Sequence, residues 1–155
     1  MVMEMTRSGL DEVDRRILTI LQRNSRTPLR EISKEVGLAE STIYERIKKL
    51  KDRGIIKKFT VILDPDSLGF KILAFILIKA RAGMYGHVAD ELKKYPQICE
   101  VYETTGDYDM LVKIRTRSSE ELNEFLDKIG EVDGVESTHT MVVLETHKET
   151  TELPL

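Results

Sequence analysis

The sequence predicts an α+β chain in two parts, a head of short helices followed by a body made from a repeated β-α-β unit. Three observations carry this. Apolar residues recur at helical spacing as far as Gly54 and at alternating spacing beyond it. Glycines and prolines fall where helices and turns must stop. Charge is divided as well: residues 1–60 hold 14 Lys/Arg against 9 acids, a net +5, while the rest hold 10 against 18, a net −8.

The first helix is read from Val13, Ile17, Ile20 and Leu21, with Asp11, Glu12 and Asp14 at the end where the helix dipole favours acids. A second opens at Thr27-Pro28, read as an N-cap followed by proline at the first helical position. It aligns Leu29, Ile32 and Val36 and stops at Gly37, a residue suited to left-handed backbone. A third follows at once, with Ile43, Ile47 and Leu50 as its apolar stripe, and ends at Gly54. Two short helices joined through a glycine turn, with a first helix completing the core, form the helix-turn-helix pattern. Leu38 fills the angle between the pair and small Ser33 permits close packing. In that arrangement the second helix of the pair enters the major groove. Ser41, Thr42, Tyr44 and Glu45 then reach base edges, while Arg46, Lys48, Lys49 and Arg53 meet phosphates. An ordinary three-helix bundle with a solvated basic face is the plainer alternative.

After Gly54, Ile55 to Leu63 is β-branched and alternating, and Asp64-Pro65-Asp66 closes it with a turn. It predicts a connecting strand, so the domains read as 1–54, a connector at 55–69, and a body at 70–155. In the body, strands are expected at 70–81, 98–105, 108–116 and 135–145, and helices at 84–95 and 118–129. Ser118 and Glu121 suggest a capping box. Two tandem β-α-β halves give a four-stranded antiparallel sheet with both helices on one face, the ferredoxin-like arrangement. The strand at 70–81 is apolar on both sides, with Phe70, Ile72, Ala74, Ile76 and Ile78 on one and Leu73, Phe75 and Leu77 on the other. Only one side can meet the chain's own helices, so a second copy is the simplest cover, and a homodimer is expected.

The bulk numbers exclude several classes. The longest apolar run, Ile72 to Ile78, is far short of the roughly 20 residues of a membrane span. The first residues lack the apolar core of a signal peptide, and a cytoplasmic protein is expected. Cys99 is the one cysteine, which rules out an internal disulfide; its apolar neighbours predict a buried, inert thiol. His87, His139 and His147 are scattered, and no metal-ligand spacing, Gly-rich phosphate loop or nucleophile constellation is present. Neither metal nor cofactor is expected, and an enzyme is the weaker reading.

The head "LDEVDRRILTILQRNSRTPLREISKEVGLAESTIYERIKKLKDRGIIKKF" joined to a body with "TTGDYDMLVKI" resembles the Lrp/AsnC (feast/famine) transcriptional regulators, closest to archaeal lysine/arginine-responsive members. The likeness runs from about Leu10 to the C-terminus. It implies a winged-type helix-turn-helix joined to an amino-acid-sensing ferredoxin-like domain, and double-stranded DNA as partner. It also implies dimers assembling further, commonly to octamers, with effector sites between dimers.

The stretch Glu103 to Leu111, "ETTGDYDML", sets Asp107 and Asp109 two apart beside Gly106. The two acids suit a hard cation only if further ligands converge, and suit acid/base work only beside a nucleophile. They fit a free amino acid better. N–H groups around Gly106, with Thr104, Thr105 and Thr140 hydroxyls, suit its carboxylate, and Asp107 or Asp109 suits its ammonium. The family's pocket, by resemblance, falls on Glu103, Thr104, Thr105, Gly106, Asp107, Tyr108 and Asp109, on Thr138, His139 and Thr140, and on Asn123 and Asp127. Asp127 would recognise a cationic side chain, hence lysine or arginine. The rival function is a nucleoid-type architectural protein that binds DNA with little sequence preference.

Overall fold

The computed structural model describes residues 9–155. Residues 1–8, whose Arg7 adds to the basic head, lie outside the described part. The chain divides into two compact units: one takes the chain up to Ile62 together with Glu149–Leu155, the other Leu63–Lys148.

In the first unit α1 spans Glu12–Arg23, α2 Leu29–Val36 and α3 Glu40–Asp52. Asp11 caps α1 through a capping box with Asp14, each carboxylate accepting the other's backbone N–H. The start of α2 differs from expectation. Pro28 is its N-cap, and the Thr27 hydroxyl donates back to Asn24 O instead of capping the helix. Gly37 ends α2 in left-handed backbone at φ 80°, and the Gly37 and Leu38 N–H groups both donate to Ser33 O. The Ser33 hydroxyl donates to Leu38 O, tying the turn together. Ile17, Ile20, Leu21, Ile32 and Ile43 form the core, with Leu38 and Ile56 packed against it.

The second unit runs β1 Ile72–Ala80, α4 Tyr85–Leu92, β2 Ile98–Glu103, β3 Met110–Thr116, α5 Ser119–Gly130 and β4 Val135–Val142. The antiparallel sheet has the order β2-β3-β1-β4. Ala74, Ile76, Ile78, Val112 and Ile114 are buried with Val88, Leu92, Phe125 and Ile129 of the two helices. Ser118 caps α5 through Glu121 N, but the Glu121 carboxylate accepts from Arg117 N, one residue short of the expected reciprocal bond. On the other face, register places Tyr102, Leu111, Leu77 and His139 in one row and Glu100, Lys113, Phe75 and Met141 in the next. Leu73, Phe75, Leu77 and Leu111 are only half-buried there. Glu100 accepts from both Lys113 and the Tyr102 hydroxyl, and the latter bond raises the tyrosine's pKa.

Three expectations are corrected. Lys57–Asp64 joins no β-ladder, so neither the connecting strand nor a wing hairpin is present among the described residues. A strand needs a partner, and the chain up to Asp64 offers none; Val61, Ile62 and Leu63 are left exposed. Cys99 is exposed, not buried. The β2 register shifts between Ile98 and Glu100, and this bulge turns the residue between them out of the core. The last seven residues join the helical unit, not the body: Gln22 Nε2 donates to Leu153 O and Gln22 Oε1 accepts from Leu153 N, at 3.0 and 2.7 Å.

Candidate nucleic-acid interface and ligand loop

The stripe Ile43, Ile47 and Leu50 fixes α3 against the head's core and decides which of its side chains face outward. Ser41, Thr42, Tyr44, Glu45, Lys48 and Lys49 are exposed, with Tyr44 at 55%. The helix begins at Ala39 with no side-chain cap, so its first N–H groups remain open to solvent or an anion. Arg53, at the far end, directs its guanidinium to Gly9 O.

Arg46 is placed differently. Its Nη1 lies 2.6 Å from Asp11 Oδ2 and 2.8 Å from Asp14 Oδ1, and the Asp14 side chain is only 12% exposed. The bond from Asp14 N, followed by those from Arg46, lowers the Asp11 pKa, while the two carboxylates raise that of Arg46. The guanidinium is therefore committed to joining α3 to α1. Helical spacing explains this, because Arg46 follows Ile43 by three and precedes Leu50 by four, on the core-facing side. Arg46→Ala would leave the largely desolvated Asp14 carboxylate without a cation and with only the long bond from Asp11 N, at about 1–3 kcal/mol. The expected result is a melting point lowered by several degrees, with the salt dependence of DNA binding unchanged; a flattened salt slope with normal melting would instead make Arg46 a phosphate contact.

In the body, Glu103 ends β2 and the loop to β3 carries Thr104, Thr105, Gly106 and Asp107; these five are exposed, while Tyr108 and Asp109 are half-buried. Gly106 has φ 112°, and no atom lies within 4 Å of where a Cβ would stand, so its backbone is open to close approach. Asp109 is spent on the fold. Its Oδ2 accepts from Ala80 N at 2.8 Å, and its own N–H donates to Ile78 O. That N–H of Ala80 lies just past Ile78↔Met110, where the β1–β3 ladder ends, and the carboxylate supplies the acceptor that no further β3 residue offers. Thr104 closes the loop, its N–H donating to Asp109 O and its hydroxyl to Tyr108 O.

Tyr108 reaches His139 of β4, with ring centroids 6.2 Å apart, so the loop and the strand bearing Thr138, His139 and Thr140 are brought together. Asn123 and Asp127 are not brought to them. Both are exposed on α5, on the side away from Leu122, Phe125 and Ile129, which pack on the sheet. His139 pairs with Leu77 on the face of the sheet that carries no helix. One small ligand cannot touch His139 and Asp127 of the same chain. Among the described residues no group of three or more His, Cys, Asp or Glu is placed to hold a metal ion, and no helix is long and apolar enough to cross a membrane.

A helix-turn-helix unit carried with a separate βαββαβ body defines a class of two-domain DNA-binding proteins with a ligand-sensing module. Residues 10–51 match the AsnC-type helix-turn-helix domain and residues 73–153 the Lrp/AsnC ligand binding domain. The chain belongs to the Lrp/AsnC family of transcriptional regulators, which are not enzymes. It is 66% identical over 149 residues to the HTH-type transcriptional regulator FL11 of Pyrococcus horikoshii, covering 96% of this chain and 99% of that one. Its fold matches that of AsnC from E. coli with a TM-score of 0.89 at 34% identity, over 94% of this chain and 99% of that one. A transcriptional regulator of Neisseria meningitidis, solved as an L-Met complex, matches with a TM-score of 0.89 at 32% identity, over 94% and 96% of the two chains.

Proposed function

We propose that this protein is a sequence-specific, cytoplasmic DNA-binding regulator whose assembly and DNA affinity respond to a free amino acid, lysine or arginine. The observation that carries the reading is the outward face of α3, where Ser41, Thr42, Tyr44 and Glu45 precede Lys48 and Lys49 with none of the six buried. The first four read base edges in double-stranded DNA and the lysines meet phosphates, with Arg53 at the end of the helix. The half-buried apolar row of Leu73, Phe75 and Leu77 is covered by a second copy, giving a homodimer that assembles further, to an octamer.

In the body, Gly106 and the threonines beside it receive the amino acid's carboxylate, and Asp107 receives its ammonium. Glu103, Tyr108 and His139 complete that side of the pocket, and Thr138 and Thr140, which register sets beside Ile78 and Ile76, border it from the helix-covered face. Asn123 and Asp127 come from another copy, which is how residues on opposite faces of one chain meet one ligand. The likeness to a regulator solved with L-Met supports a free amino acid as the ligand class.

The test is selection on random duplexes, with and without each amino acid, followed by salt titration of variants. A regulator should prefer its selected sequence by about 10³ or more at fixed salt. Lys48→Ala and Lys49→Ala should each flatten the salt slope by roughly one unit on every sequence, whereas Thr42→Ala or Tyr44→Ala should change sequence preference. No enrichment of any sequence would favour the architectural protein, and four variants indistinguishable from wild type would remove α3 from the groove.

A further inference from the structure

The chain beyond α3 lies outside the matched helix-turn-helix domain, which stops at residue 51. Gly54, at φ 71°, reverses it, and the Ile55 and Ile56 N–H groups both return to Leu50 O. Ile56 then packs on the head's core, and Phe59 lies back along α3, with Lys51 Nζ 6.0 Å from its ring centroid. Between these two anchors Lys57 and Lys58 are both exposed. Phe59 closes one side of a recess of about 250 Å³ lined by Leu29, Tyr44, Ile47, Lys48 and Lys51.

Its chemistry is one-sided. Lys48 and Lys51 line the recess, Lys57 and Lys58 hold exposed positions in the chain just before Phe59, and Asp52 is the one acid in the lining. Like charges so gathered repel unless an anion joins them. The walls are apolar and aromatic: Tyr44 is 55% exposed and Phe59 46%. A deoxyribose-phosphate strand presents both complements, anionic oxygens for the ammoniums and an apolar sugar edge for the rings. Tyr44 and Lys48 belong to the recess and to the outward face of α3 at once, so the two surfaces are continuous.

We infer that Lys51, Lys57 and Lys58, positioned by Phe59, form a second DNA contact that grips the sugar-phosphate backbone flanking the groove entered by α3. The contact rests on the DNA reading of α3 and extends it past the helix into the connector. It adds affinity and salt dependence without reading sequence, because the phosphates carry no base identity.

The test is a salt titration of the full chain on a random-sequence duplex, with a Lys57→Ala/Lys58→Ala double variant beside Lys48→Ala/Lys49→Ala. The connector variant is expected to lower the slope by roughly two units, and affinity at 0.2 M salt by on the order of tenfold or more. It should keep wild-type sequence preference and an unchanged circular dichroism spectrum, and Lys57→Arg/Lys58→Arg should retain the wild-type slope. A connector variant that titrates like wild type, while the α3 variant loses slope, would overturn the second contact and leave α3's role standing. Failure of both would remove the DNA reading of α3 as well. A connector variant that alters light scattering without altering the slope would make this edge an interface between copies, which also overturns the proposal.

Discussion

Leu77→Asp is expected to leave the protein monomeric in sedimentation at concentrations where the wild type is a dimer or larger. Leu77 lies in the middle of the face that carries no helix, and its cross-strand neighbours are Leu111 and His139. A carboxylate buried there by a second sheet would face Leu111 and an imidazole, with no Lys or Arg directly opposite it, at a cost of several kcal/mol. Leu73→Asp and Phe75→Asp look equivalent in the sequence but are weaker tests. Register sets Arg115 opposite Leu73 and Lys113 opposite Phe75, so either new acid meets a cation. Those two variants are expected to retain part of the assembly. A wild type that sediments as a monomer would end the argument from this face, as would a Leu77→Asp variant that still dimerises.

Calorimetry is expected to show lysine or arginine binding at least roughly tenfold tighter than leucine or glutamine, about 1.4 kcal/mol. In the proposed pocket the α-ammonium would take Asp107 and the side-chain cation Asp127 of another copy, both of them exposed here. A ligand without the second cation would leave that carboxylate desolvated and unpaired, at about 1–3 kcal/mol. Asp127→Ala should therefore erase the preference, and Asp107→Ala should weaken every amino acid alike. Asp109→Ala belongs to a different category of effect. It removes the acceptor of the Ala80 N–H, so it should lower the melting point before it changes ligand choice. Leucine bound as tightly as lysine would refute the basic-ligand assignment. Binding of no amino acid would leave the architectural reading.

Much of the architecture was legible because it is written in local spacing. Ile43, Ile47 and Leu50 announce a helix and its buried side, and the same pattern places Tyr44, Lys48 and Lys49 outward whatever that helix packs against. Gly37 and Gly54 stop helices because their left-handed backbone favours a residue without Cβ. The alternation of 72–78 gave both faces of β1 before any partner strand was known. The open, positive-φ backbone at Gly106 and the exposure of Asp107 beside it were legible for the same reason, both being properties of consecutive residues.

What tertiary structure decided is how charges and edges are spent between residues far apart in the chain. Asp107 and Asp109 look alike in the sequence, yet the Ala80 N–H, 29 positions from Asp109 and just past the end of the β1–β3 ladder, takes up the second while the first stays exposed. Arg46 reads as one more cation on a basic helix until Asp11 and Asp14 close on it. Cys99 owes its exposure to a bulge against β3, the stretch at 55–63 remains unpaired because a strand requires an edge to join, and Leu153 returns to Gln22 across 131 positions. Period and turn chemistry are properties of neighbouring residues, so one chain's sequence fixes them. Pairing is settled only when distant groups compete for the same hydrogen bond or counter-charge, and that competition takes place in the folded state.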